Sequence, residues 1–185
     1  MVIKEITIEY FEEHIYDKYI NLFSKDEQRD WNTIKCAYQD KIEKFYAIYV
    51  DNIEVGFFML EKLNDYPYYL DYFSIYNEYQ GKKYGSEAIQ KLLSDIVKED
   101  GLIGEIEDVT FQDLTTIRRW KFYEKIGFKK NSDVNFFFCN NIFNLIIYPR
   151  DYNIEEGRIA EILLDYYKYN IGEEETKKLC KIMKK

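Results

Sequence analysis

Between residues 84 and 97 the apolar positions Tyr84, Ala88, Ile89, Leu92, Leu93, Ile96 and Val97 recur at helical spacing, which predicts an amphipathic helix that Gly101 can stop. Residues 66–76 read as a strand leading towards it. Upstream, Val2, Lys4, Ile6 and Ile8 alternate with Ile3, Glu5, Thr7 and Glu9, predicting a first strand over residues 2–11. Helical segments are expected over 15–24 and 30–40. Two β-rich runs, 45–50 and 53–63, flank Asp51-Asn52, residue types that tolerate positive φ, and so predict a hairpin; Gly56 within it marks a bulge or a close backbone approach. A strand over 102–109, a helix over 115–126, and strands over 128–139 and 142–148 joined at Asn140-Asn141 complete the pattern, which Pro149 ends. Beyond it, Ile159, Ile162, Leu163, Tyr166 and Tyr167 form an apolar helical stripe up to Gly172, and a short charged helix carrying Leu179, Ile182 and Met183 closes the chain.

The junction from Leu70 to Ser86 carries the most chemistry. A strand runs into Gln80-Gly81-Lys82-Lys83-Tyr84-Gly85-Ser86, which opens a helix. First-turn N–H groups of a helix have no intrahelical partner and point at whatever lies beyond the N-terminus, so an anion fits there. Gly81 and Gly85 admit close approach of the backbone, and Lys82 and Lys83 add positive charge. Neither Gly-x-x-x-x-Gly-Lys-Ser/Thr nor Gly-x-Gly-x-x-Gly occurs, which argues against a P-loop and a dinucleotide fold.

Gln80 to Gly85 resembles the Gln/Arg-x-x-Gly-x-Gly/Ala signature of the GNAT superfamily, the acyl-CoA-dependent N-acyltransferases, with Lys83 at the first signature glycine. A second segment, Arg118-Arg119-Trp120-Lys121-Phe122-Tyr123-Glu124-Lys125-Ile126-Gly127-Phe128, is similar to that family's helix ending in Tyr-Glu-Lys-x-Gly-Phe. By residue chemistry alone Gly127 is a left-handed helix stop and Phe128 packs back on the last turn. The resemblance implies an α/β fold over residues 1–150: a mixed, mostly antiparallel central sheet with a splayed parallel pair, flanked by helices. Residues 151–185 would then be a C-terminal helical extension packed on the core or a partner.

The same resemblance implies acetyl-CoA as co-substrate. Backbone N–H groups of Phe73, Ser74 and Ile75 would take pantetheine and polarise the thioester carbonyl. Gln80, Gly81, Lys82, Lys83, Tyr84, Gly85 and Ser86 would take the phosphates, with Thr116 and Arg119 from the second helix. Tyr123 stands where many relatives keep a tyrosine close to the coenzyme sulfur, and a phenol suits protonation of a thiolate. For the base, Asp71 and Glu105 have the right location; Glu105 and Glu107 share a strand face, and two nearby carboxylates raise at least one pKa. Tyr69 occupies the place of a glutamate in some histone-type relatives, and many members use ordered water. The expected reaction is direct attack of a primary amine on the thioester in a ternary complex. A CoA-sensing module without turnover and a transferase of longer acyl groups are the alternatives.

Composition narrows the partners. The 185-residue chain is 46% hydrophobic and 32% charged, with net charge −8, which argues against a nucleic-acid or anionic-membrane binder. Yet Lys82, Lys83, Arg118, Arg119, Lys121, Lys125, Lys129 and Lys130 gather around the two motifs, against the sign of the whole. No apolar run approaches the ~20 residues of a membrane span, and residues 1–10 do not read as a signal peptide; a cytoplasmic protein, monomer or homodimer, is expected. Cys36, Cys139 and Cys180 are scattered, indicating neither a disulfide framework nor a zinc site, and no metal is expected. His14 is the only histidine, so acid–base work falls to carboxylates, tyrosines or water. The acceptor is expected to be a small-molecule or peptide amine.

Overall fold

Thr7 decides where the first strand ends. A computed structural model describes residues 1–108, 114–139 and 141–184, and in it the Tyr10 N–H donates to the Thr7 hydroxyl at 3.3 Å, capping a helix start. Strand β1 (Val2–Ile6) therefore stops short of the alternation read from sequence, and the chain turns into α1 (Ile8–Tyr10), a π-helical turn (Phe11–Ile15) and α2 (Tyr16–Leu22). The buried positions Ile8, Phe11, Ile15 and Tyr19 follow the helical period, and burial on that period overrides the alternation. Asp30 caps α3 (Trp31–Gln39) by accepting from the N–H groups of Asn32 and Thr33 at 3.0 and 3.1 Å.

The chain divides into two units, residues 1–62 with 70–96 and residues 63–69 with 97–185. In the first, the strand order is β1, β2 (Glu43–Val50), β3 (Ile53–Glu61) and β4 (Tyr68–Ile75), followed by a 3-10 turn (Asn77–Tyr79), α4 (Tyr84–Leu92) and a π-helical turn that begins at Leu93. Strands β1–β2 and β2–β3 pair antiparallel. Asp51 and Asn52 both take positive φ, 49° and 64°, the geometry of the tight hairpin turn their residue types predict. The core joins Phe11, Ile15, Tyr19, Ile34, Phe45, Phe57, Met59, Tyr72 and Tyr76, with Phe11 stacked on Phe45 at 4.4 Å. Tyr16, Phe23, Trp31 and Tyr38 pack against that core.

The second unit holds the start of β4, then β5 (Leu102–Glu107), α5 (Leu114–Ile126), β6 (Lys129–Phe138), β7 (Asn141–Tyr148), α6 (Glu156–Ile171), α7 (Glu173–Leu179) and β8 (Cys180–Lys184), in strand order β4-β5-β7-β6-β8. Its β4–β5 pairing is parallel and is confined to Tyr68↔Leu102 and Tyr69↔Ile103; β5–β7, β6–β7 and β6–β8 are antiparallel. Ile159, Ile162, Leu163 and Tyr166 of α6 are buried against Tyr69, Ile103, Phe136, Leu145 and Ile147, so the apolar stripe is the inner face of this unit. The tail does not end as a helix. Residues 180–184 pair with β6 from Phe138↔Cys180 to Val134↔Lys184, because satisfying the open edge of β6 outweighs a weak local helical pattern. The expected strand end at Val109 and the first residue of the Asn140-Asn141 turn lie outside the described residues. Among the described residues no helix is long and apolar enough to cross a membrane.

Candidate functional site

The sequence around β4 builds a loop suited to an anion. The Gln80 side-chain amide donates to the Ile75 carbonyl at 2.9 Å and to Asn77 Oδ1 at 3.1 Å, tying the signature glutamine to the end of the strand. Gly81 has φ +76°, and no atom lies within 4 Å of where its Cβ would be. Lys83 also adopts the left-handed conformation, φ 67° and ψ 4°, as the residue just ahead of α4. This is a conformation that glycine takes freely, and Lys83 adopts it at the steric cost an L-residue carries there. The first α4 bond is from the Glu87 N–H to the Lys83 carbonyl at 3.2 Å, so the N–H groups of Tyr84, Gly85 and Ser86 precede the helical ladder. Lys82 and Lys83 are exposed, Lys82 with its ammonium 5.2 Å from the Tyr79 ring. Behind the strand, a Cβ on Gly56 would overlap the Ser74 carbonyl oxygen, so this glycine lets β3 approach β4 at Ser74 and Ile75; the β2–β3 register also shifts beside it, between Ile48 and Tyr49. Phe73 stacks on Phe58 at 4.5 Å.

Asp71 belongs to a buried ionic cluster that no local pattern announces. The Arg29 guanidinium donates to Glu43 and Glu61 and lies 3.1 Å from Asp71. Glu43 and Glu61 are fully shielded, and the Arg29 and Asp71 side chains nearly so. Burial pushes the Glu43 carboxyl well up against the pull of Arg29, and the charges of Glu61 and Asp71 add to the rise. Oxygens of Glu43, Glu61 and Asp71 lie within 4.8 Å of one another, a spacing that could hold a metal ion, but the guanidinium stands among them. The segment is fastened further, the Arg29 N–H donating to the Tyr19 hydroxyl at 2.8 Å and the Tyr72 hydroxyl donating to the Glu27 carbonyl.

Glu105, on β5, has a different setting. Its Oε1 accepts from the hydroxyls of Tyr69 at 3.1 Å and Tyr167 at 2.5 Å. Its Oε2 is buried and has no hydrogen-bond partner among the described residues. Burial pushes the carboxyl up to about 7, although both phenols pull it down. The rise therefore comes from burial and not from Glu107, which is instead paired with Arg119 at 2.7 Å on an exposed surface. Thr116 is buried, while Arg118 and Arg119 are exposed.

Tyr123 is held by the helix stop. The Phe128 N–H donates to the Tyr123 carbonyl and the Gly127 N–H to the Glu124 carbonyl, both at 3.1 Å, with Gly127 at φ +112°. This is the Schellman arrangement, and its accompanying apolar contact is the edge-on packing of Tyr123 and Phe128 rings at 5.1 Å. Burial pushes the Tyr123 phenol up to about 12 against the pull of Arg119, which keeps it protonated at neutral pH. Sequence reading missed Arg29, Glu43, Glu61 and Tyr167. The first three are spread over three elements, and Tyr167 sits within an apolar stripe that explains it as core.

The profile of the acetyltransferase (GNAT) family matches residues 7–128. No curated protein matches the chain by sequence. Among solved structures, a chain described as a GNAT-family acetyltransferase from Bacteroides thetaiotaomicron aligns with TM-score 0.74 and 16% identity over 94% of this chain and 99% of that one. A dodecameric spermidine N-acetyltransferase from Vibrio cholerae gives TM-score 0.59 and 12% identity over 80% and 93%. A GNAT-family acetyltransferase from Elizabethkingia anophelis with acetyl-CoA bound gives 0.55 and 12% over 79% and 94%. At these identities the likeness is one of fold.

Proposed function

Because the chain belongs to the GNAT acetyltransferase family, we propose that it is a cytoplasmic N-acetyltransferase that moves the acetyl group of acetyl-CoA to a primary amine. The observation that carries this reading is the loop after β4: Gln80 anchored to Ile75, left-handed Gly81 and Lys83, and the opening N–H groups of α4. Negative phosphate oxygens suit those donors and the exposed Lys82 and Lys83. The acetyl-CoA held by the Elizabethkingia anophelis relative supports the choice of co-substrate.

In the reaction the amine nitrogen bonds to the thioester carbonyl carbon and the carbon–sulfur bond breaks. Glu105 takes the proton the amine must lose, its carboxyl being poised near neutrality. Tyr123 supplies the proton the departing thiolate needs. Asp71, the other carboxylate considered, is engaged by Arg29 and is a weaker choice of base. Direct attack needs no enzyme nucleophile.

Calorimetry with acetyl-CoA on the protein and on Gly85→Val tests the loop. Binding should weaken at least tenfold in the variant; equal affinities would remove the loop from cofactor binding. Screening amines for thiol release then names the acceptor, and release with any of them excludes a CoA-sensing module without turnover.

A further inference from the structure

The hydroxyl that approaches Glu105 most closely comes from the C-terminal segment, outside residues 7–128 that match the family profile. Tyr167 sits on α6, whose inner face is locked into the core of its unit by Ile159, Ile162, Leu163 and Tyr166. Its ring packs on Phe136 at 5.1 Å and Phe138 at 4.7 Å, which fixes where the hydroxyl can point. Among the described residues, the titratable groups facing Glu105 are Tyr69 from β4, Tyr167 from α6 and the Cys180 thiol from β8. Burial, and then the charge of Glu105, push the Cys180 thiol up to about 12. No cation among the described residues pairs with Glu105, so hydrogen bonds from phenols are what favours its charged form.

We propose that Tyr167 is a positioning residue for Glu105: its hydroxyl, with that of Tyr69, ties down Oε1 and thereby leaves Oε2 as the oxygen that takes the proton. The proposal rests on the reading of Glu105 as the base. A carboxylate with both oxygens engaged would be a poorer acceptor, and one with neither would be free to rotate and would charge only at higher pH. Two donors on a single oxygen give one fixed acceptor atom. Helix α6 is thus joined to the chemistry through the Tyr167 hydroxyl.

Replacing Tyr167 by phenylalanine keeps the ring against Phe136 and Phe138 and removes only the donor. A hydrogen bond to the charged carboxylate favours that form, so without it the Glu105 carboxyl should titrate about one unit higher. Carbon-13 NMR of glutamate carboxyls, with the Glu105 signal assigned by its loss in Glu105→Gln, reads this without any substrate. The acid limb of kcat/KM, measured with an amine found by screening, should move up by the same amount, a loss of about fivefold at pH 7 that disappears at high pH. A purely structural role would lower stability and leave both titrations in place. An unshifted NMR titration in Tyr167→Phe overturns the proposal while leaving Glu105 free to be the base. A shifted NMR titration with an unmoved acid limb overturns it the other way, by showing that Glu105 is not the group the rate depends on.

Discussion

Two buried carboxylate sites, one in each unit, differ in what faces the charge. Glu43, Glu61 and Asp71 surround a guanidinium, whereas Glu105 meets, among the described residues, tyrosine hydroxyls and a thiol. An arginine is charged at every accessible pH, so the first cluster carries a permanent counter-charge and its role is to hold β2, β3 and β4 to the segment before α3. Phenols stabilise a carboxylate without settling its protonation. The Glu105 carboxyl, pushed up to about 7 with no guanidinium beside it, changes its state near neutrality, which a proton-transfer step requires.

The comparison breaks most readily at Arg29. Replacing it with methionine takes the guanidinium from among three buried carboxylates, and removing one partner from a buried pair typically costs about 3–5 kcal/mol; thermal unfolding should show a fall of that order. A Glu105→Gln change should be far milder for the fold, and a comparable loss there would erase the distinction.

The pH dependence of stability sharpens it. Folding raises the Glu105 carboxyl from 4.5 to about 7, so between those values the folded chain binds more protons than the unfolded one. Stability attributable to this group is fully present below pH 4.5 and is lost as pH rises through 7, by at most about 3 kcal/mol. Urea unfolding of the wild type and Glu105→Gln across pH 4.5–8 should show the wild type losing ground with rising pH. Parallel curves would mean that the carboxyl keeps an ordinary pKa.

The smallest effect is expected away from both sites, at Lys83. Glycine there relieves the left-handed conformation at φ 67° and should raise stability by up to about 1 kcal/mol, part of the gain being offset by the greater freedom of glycine in the unfolded chain. A drop in the unfolding midpoint for Lys83→Gly would mean that the lysine side chain makes a compensating contact.

Much of the fold was legible because its signals are local. The Asp51-Asn52 turn, the helix stop at Gly127-Phe128 and the strand–loop–helix order around Gln80 are each written in a few adjacent residues whose backbone preferences agree. The β8 strand was not legible, since residues 180–184 become a strand only by pairing with β6. Nor was the end of β1, where Thr7 starts a helix within an alternating pattern. Glu105 and Tyr123 could be singled out from sequence as candidates, but what surrounds them could not be read there. Tyr167 reaches Glu105 across 62 residues, and Arg29 gathers acids from three strands. Such partners are chosen by the fold, and no spacing along the chain records them.

The central claim is that Glu105 takes the proton during acetyl transfer. The measurement that meets it most directly is kcat of Glu105→Gln beside the wild type with a screened amine, chemistry being rate-limiting and acetyl-CoA affinity followed by calorimetry. The account predicts unchanged acetyl-CoA affinity and a kcat lower by ~10²-fold or more. Wild-type kcat in the variant would contradict it and hand the proton to water.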